Sequence, residues 1–172
     1  MSHWEAAGQS DEWYTPKHVF DALGTAFDTD VAHPGCGDAC CVPARRWITR
    51  DSLQHEWDGL VWMNPPFGGR NSLGPWLDKF FKHGNGVALT PDRTSAPWFH
   101  DAWEKADAVL FTRKIRFLRP DGSEGVSPSN GTALWAAGGQ ATAALKRAAD
   151  RGLGILAIPV AQSNNTGGQV HG

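Results

Sequence analysis

Asn64-Pro65-Pro66-Phe67 directly follows the apolar run Leu60-Val61-Trp62-Met63, and its residue types suit one kind of chemistry. Each proline biases the residue before it toward extended backbone, so the carbonyls of Asn64 and Pro65 do not turn back into a helix. Together with the Asn64 amide oxygen, these acceptors can hold an exocyclic amino group while Phe67 stacks on the planar ring that carries it. Asn64, Pro65, Pro66 and Phe67 are therefore the candidate catalytic residues. The competing reading is that the two prolines only end a strand and Phe67 returns to the core. The apolar strand before the motif favours the site, because ligands of open α/β sheets bind beyond the carboxyl ends of strands.

The elements that must position this loop can be read from periodicity and punctuation. Thr15 reads as an N-cap and Pro16 as the first helical residue of a short helix that carries Val19, Phe20 and Leu23 on one face and ends at Gly24. Phe27 to Ala32 alternates as a strand and runs into the turn His33-Pro34-Gly35-Cys36-Gly37-Asp38. A short strand is expected at Trp47-Ile48-Thr49, followed by a polar stretch around Asp51. After the Leu60–Met63 strand come a helix over 75–81, a buried strand over 87–90, a helix opened by Ser95 and Pro97, and a strand over 108–112. This alternation from 60 to 112 specifies an α/β sheet. A long basic, Gly/Ser/Pro-rich loop over 113–131 leads to a strand over 132–137, antiparallel to the one ending at Thr112. An Ala-rich helix over 140–151 and an apolar strand over 153–160 complete the pattern.

Composition bounds the answer. A chain of 172 residues with 41% apolar content supports one globular domain, expected over 13–160, with a loose leader at 1–12 and a disordered tail at 161–172. No run has the length of a membrane span and the first residues lack a signal-peptide pattern, so a cytoplasmic protein is expected. A net charge of −2 argues against coating nucleic acid by bulk electrostatics, though not against a local basic face. Two clusters offer one: Arg113, Lys114, Arg116 and Arg119, and Arg45, Arg46 and Arg50. Each is a phosphate-contact candidate or simply a solvated face. Cys36, Cys40 and Cys41, the only cysteines, are bunched and odd in number, so thiols rather than disulfides are expected. With His33 they make half of a zinc pattern with no second ligand pair, and no metal is expected.

The ordered set Trp13-Tyr14-Thr15-Pro16, Phe27-Asp28-Thr29-Asp30-Val31-Ala32 and Trp57-Asp58-Gly59-Leu60-Val61-Trp62-Met63-Asn64-Pro65-Pro66-Phe67 resembles the phage-type DNA N6-adenine methyltransferases, the Dam-like family of phages and prophages. Weaker matches follow at Leu89-Thr90-Pro91, Trp98-Phe99, Lys114-Ile115-Arg116-Phe117 and Pro128-Ser129. The resemblance spans about residues 13 to 138. It implies a compact Rossmann-like fold, with a mostly parallel sheet and helices on both faces, that methylates adenine N6 in DNA from S-adenosylmethionine. It implies a flipped adenine stacked on Phe67, a bacterial host cell, and a monomer or homodimer. The cofactor would be met by Trp13, Thr15, Pro16, Asp30, Ala32, Gly35, Gly37 and Asn64, with the start of the first helix facing the methionine carboxylate. Asp28 competes with Asp30. Asp51, Phe67, Arg113, Lys114, Arg116 and Phe117 would meet the DNA, although Asp51 also reads as an ordinary surface acid. The alternatives are a methyltransferase acting on RNA or a glutamine amide, or a catalytically silent nucleic-acid-binding or anti-restriction module. With no separate recognition domain, a short target context is expected.

Overall fold

The computed structural model describes residues 13–35, 40–66, 72–126 and 130–161. The expected leader, nearly all of the expected tail, Phe67, Cys36, Gly37 and Pro128-Ser129 lie outside them. The described chain runs α1 (Lys17–Leu23), β1 (Phe27–Asp30), β2 (Ala44–Trp47), a 3-10 turn (Ser52–Gln54), β3 (Val61–Met63), α2 (Leu73–His83), β4 (Gly86–Pro91), α3 (Pro97–Lys105), β5 (Ala108–Thr112), β6 (Thr132–Ala137), α4 (Gly139–Asp150) and β7 (Gly154–Ala157).

All seven strands form one sheet in the order β2-β1-β3-β4-β6-β5-β7. The pairings β2-β1, β1-β3 and β3-β4 are parallel, while β4-β6, β6-β5 and β5-β7 are antiparallel. The sheet is thus mixed, where a mostly parallel one was expected. The reason is local. Among the described residues the connection from β5 to β6 carries no helix, and β6 returns antiparallel beside β5, whereas a parallel neighbour needs a crossover.

Alternation along the strands sends side chains to two separate cores. Leu60, Trp62, Val87, Leu89 and Leu110 pack with Val19, Phe20 and Leu23 of α1 and Ala141, Ala144, Leu145 and Ala148 of α4. Val61, Met63, Ala88, Val109 and Trp135 pack with Leu77 and Phe80 of α2 and Phe99 and Ala102 of α3. Helices therefore cover both faces, as expected. Trp62 anchors the first core with its ring edge-on to Phe20 at 4.8 Å. Trp135 anchors the second, its indole N–H donating to Thr90 Oγ1 at 2.8 Å, so the buried polar atom is satisfied.

Several boundaries move. The second strand is Ala44–Trp47 instead of 47–49, because pairing with β1 sets the register (Thr29 beside Arg46, Asp30 beside Trp47); on an edge strand, apolar content is a poor guide to that register. Pro16 is the N-cap of α1 in extended backbone and makes no side-chain cap, so Thr15 stands one residue outside the cap and its hydroxyl is used elsewhere.

Candidate functional site

Chain order places the site. From β1 the sheet grows to one side through β2 and to the other through β3, so the topological switch lies between β1 and β3. A ligand crevice is expected beyond the carboxyl ends of these two strands. Asp30 ends β1 and Asn64 follows β3. Both line a cleft of about 750 Å³ whose walls include Trp13, Thr15, Val31, Ala32, Ile48, Asp51, Trp62, Pro65, Pro66, Trp76 and Phe117.

Asn64 is half-buried, Pro65 buried and Pro66 exposed. The Asn64 amide nitrogen donates to Thr15 Oγ1 at 3.3 Å and, at the outer limit of a hydrogen bond, to the Trp13 carbonyl at 3.5 Å. These bonds hold the amide by its nitrogen and turn its oxygen the other way. Thr15, itself buried, is therefore an orienting partner for Asn64 and not a helix cap. The segment carrying it is anchored in turn: Tyr14 N–H donates to the Leu118 carbonyl at 2.9 Å and Leu118 N–H returns the bond at 2.8 Å.

Asp30 is 2% exposed. Burial raises its pKa from 3.8 to about 7, opposed by a hydrogen bond from the Ala32 N–H, at 3.2 Å. A desolvated carboxyl in a cleft is poised to gain a donor from a ligand. Asp28, its competitor, is committed elsewhere: Oδ2 accepts the Leu60 N–H at 2.7 Å, and Gly59, at φ +67, lies so close that a Cβ there would overlap the carboxylate. Asp28 ties β1 to the start of β3.

Asp51 reaches the cleft wall with left-handed backbone (φ 51), the one non-glycine at positive φ among the described residues. Asp and Asn tolerate that conformation better than most side chains, and its cost marks a position worth attention. Gly35 is not part of the cleft lining. Its φ of +90 shows why glycine is there: it turns the chain, and its N–H donates to His33 Nδ1 at 3.0 Å. Arg113, Lys114 and Arg116 are exposed and lie outside the lining, which Phe117 joins. Arg116 stands 3.7 Å from Glu124 in an exposed pair. The positions of Phe67 and Gly37 lie outside the described residues.

Cys40 and Cys41 are thiols, as expected. Spacing missed one association: Asp30, entering from β1, meets His33 and Cys40 with ligand atoms within 4.8 Å of one another. The acceptor nitrogen of His33 is already taken by the Gly35 N–H, and burial lowers the His33 pKa, favouring the neutral ring. Sequence reasoning also passed over Tyr14, Ile48 and Asn130 as cleft residues. Tyr14 lay inside a motif already quoted, but nothing in its spacing showed that it would bridge to Leu118.

A family model described as DNA N-6-adenine-methyltransferase (Dam) matches residues 3–137, well over half of the chain. No curated protein and no solved structure matches.

Proposed function

The chain belongs to the DNA N-6-adenine-methyltransferase (Dam) family, and from that premise we propose that it methylates N6 of adenine in DNA using S-adenosylmethionine. The observation that carries the reading is one cleft, at the switch point of the sheet, that joins a buried donor-seeking carboxyl on Asp30 to an amide on Asn64 already oriented by its nitrogen. The cleft suits this cofactor: it has room for a nucleoside with a methionine chain, apolar and aromatic walls for the base, and Asp30 to accept from an amine or hydroxyl. When bound, S-adenosylmethionine supplies a methyl group activated by its sulfonium.

Adenine N6 is a poor nucleophile because its lone pair is delocalised into the ring. In this mechanism the Asn64 Oδ1 and the Pro65 carbonyl accept the two N6–H bonds and draw the nitrogen toward tetrahedral geometry. Thr15 keeps the Asn64 oxygen facing the base by holding the other end of the amide. Pro66 stiffens the backbone behind these acceptors. With methyl transfer from the bound cofactor, positive charge on N6 would be stabilised by the Asn64 and Pro65 acceptors, which need no reorganisation, and the N6 proton would leave for solvent. We place Phe67 against the flipped ring. Asp51, on the cleft wall, is a candidate partner of the adenine amino group. A short target context fits readout by a single loop, which supplies only a few base contacts, each worth ~1–3 kcal/mol.

Transfer of a tritiated methyl group to adenine-containing DNA tests the reading. Incorporation by the wild-type protein that disappears in Asn64→Ala supports it; no incorporation on any DNA, or equal incorporation by the variant, overturns it. The same assay with RNA and protein acceptors decides between DNA and the alternative substrates.

A further inference from the structure

Strand β2 lies at an edge of the sheet and is unusually charged for so short a strand. Arg45, Arg46 and Trp47 are all exposed, Trp47 to 56%. They line a shallow groove with Ile48, Thr49, Arg50, His55 and Glu56. Ile48, Thr49 and Arg50 also line the main cleft, so the groove is a lateral extension of the site.

Cationic side chains on an edge strand have an ordinary use, since they block strand addition by other chains. That explains Arg45 and Arg46 but not Trp47, because an exposed indole makes an edge more adhesive. A ring flanked by guanidinium groups fits a nucleic-acid strand instead: the cations meet phosphates and the ring packs on a sugar or an unpaired base. The charge of Arg46 is accessible, its partner Asp58 lying 3.7 Å away with both side chains more than half exposed. Two carboxylates accompany the cations, Glu56 in the groove lining and Asp58 beside Arg46, so the arginines Arg45, Arg46 and Arg50 outnumber them.

We propose that this groove holds the phosphate backbone of the DNA beside the target adenine, with Arg45, Arg46 and Arg50 as phosphate contacts and Trp47 as a packing surface. The inference rests on the DNA methylation reading above. β2 is two strand spacings from β3, roughly 10 Å, which corresponds to about three base steps along one DNA strand. A duplex that delivers an adenine to Asn64 thus has phosphates within reach of the groove.

The test is fluorescence anisotropy of a labelled adenine-containing duplex over a salt series, paired with methylation kinetics. Arg45→Ala/Arg46→Ala is expected to weaken DNA binding about tenfold and to reduce the slope of log K against log salt by roughly 2, near 0.9 per phosphate lost. Arg45→Lys/Arg46→Lys is expected to restore the slope, and Trp47→Ala to weaken binding without changing it. Arg45→Gln/Arg46→Gln, a less truncating pair, must show the same loss as the alanine pair. In turnover the DNA KM should rise while kcat at saturating DNA moves less than about twofold. Wild-type affinity, slope and KM in both the alanine and the glutamine pair would overturn the groove while leaving the methylation reading intact. Salt-dependent binding lost in those pairs, with no methyl transfer by the wild type to any DNA, would support the groove and defeat the catalytic reading.

Discussion

The two walls of the cleft are built differently. One is made of strand ends: Asp30 at the end of β1 and Ala32 past it, and Asn64 and Pro65 beyond β3, carried by neighbours in the parallel half of the sheet. The other comes from the connection between β5 and β6, where Phe117, Val126, Asn130 and Gly131 reach the same space. The strand-end wall presents few polar groups, buried or half-buried and individually oriented. The loop wall holds its shape through turn bonds, such as Arg119 N–H to the Ser123 carbonyl and Gly125 N–H to the Phe117 carbonyl, both 2.8 Å, and its cations face solvent. Residues 13–15 join the walls, bonded to Leu118 on one side and to Asn64 on the other. The contrast is one of support: Asp30 and Asn64 are oriented at strand ends, whereas Arg113, Lys114 and Arg116 are exposed on a loop.

The sharpest way to break that division is Asn64→Ala, expected to lower kcat for methyl transfer by roughly 10²–10³ with little change in DNA affinity, as for loss of one preorganised polar group. Equal losses in kcat from Phe117→Ala would erase the contrast. Next is Asp30→Asn. Calorimetry is expected to show cofactor affinity falling by about tenfold or more, because an amide cannot attract an amine as a carboxylate does. The same change should stabilise the cofactor-free protein at pH 8. The Asp30 pKa is raised in the fold, to about 7, so its favourable contribution is complete below the unfolded pKa and is lost as pH climbs toward 7. Wild-type stability should therefore fall between about pH 4 and pH 7, by up to roughly 4 kcal/mol from this group, and level off above. Denaturant titrations across that range check both, and Asp30→Asn should flatten the profile.

Thr15→Ala is expected to lower kcat severalfold, about tenfold at most, by releasing the Asn64 amide. The effect on the melting temperature should be small; a large loss of stability with unchanged kcat would make Thr15 structural. The smallest effect belongs to the loop wall. Arg116→Ala removes an exposed pair with Glu124, and its cost in thermal melts should stay within about 1 kcal/mol.

How much of this was legible varies with the kind of information each residue carries. β5 and β6 were read with their observed ends, because the largely apolar runs over 108–112 and 132–137 are bounded by the charged Asp107 and Arg113 and by Gly131 and Gly138. The helices were legible from their apolar faces, although α2 begins earlier, at Leu73, and ends later, at His83. β2 was misplaced because an edge strand with two arginines has no apolar alternation to read. In the site, Asn64, Pro65 and Pro66 were visible as types in an order, and the cleft contains all three. Thr15 was visible but its reading as an N-cap was wrong: a Thr-Pro pair signals a helix start, whereas the cap is Pro16 and the Thr15 bond to Asn64 crosses 49 positions. Asp30 was preferred for its place at the end of the strand with Asp28 as competitor, and burial of the Asp30 carboxyl against a bond from Leu60 to Asp28 separates them.

By itself the sequence determined the α/β alternation, the helix faces, the family and the Asn-Pro-Pro order directly after β3. These follow from periodicity, proline stereochemistry and the order of short motifs, all of which are local along the chain. The tertiary structure alone decided the insertion of β6 between β4 and β5, the meeting of Asp30 with Asn64 at the switch point, the tether from Thr15, and the basic groove that runs from the cleft onto β2. Each depends on sheet order, register or desolvation, which are set by residues far apart in sequence.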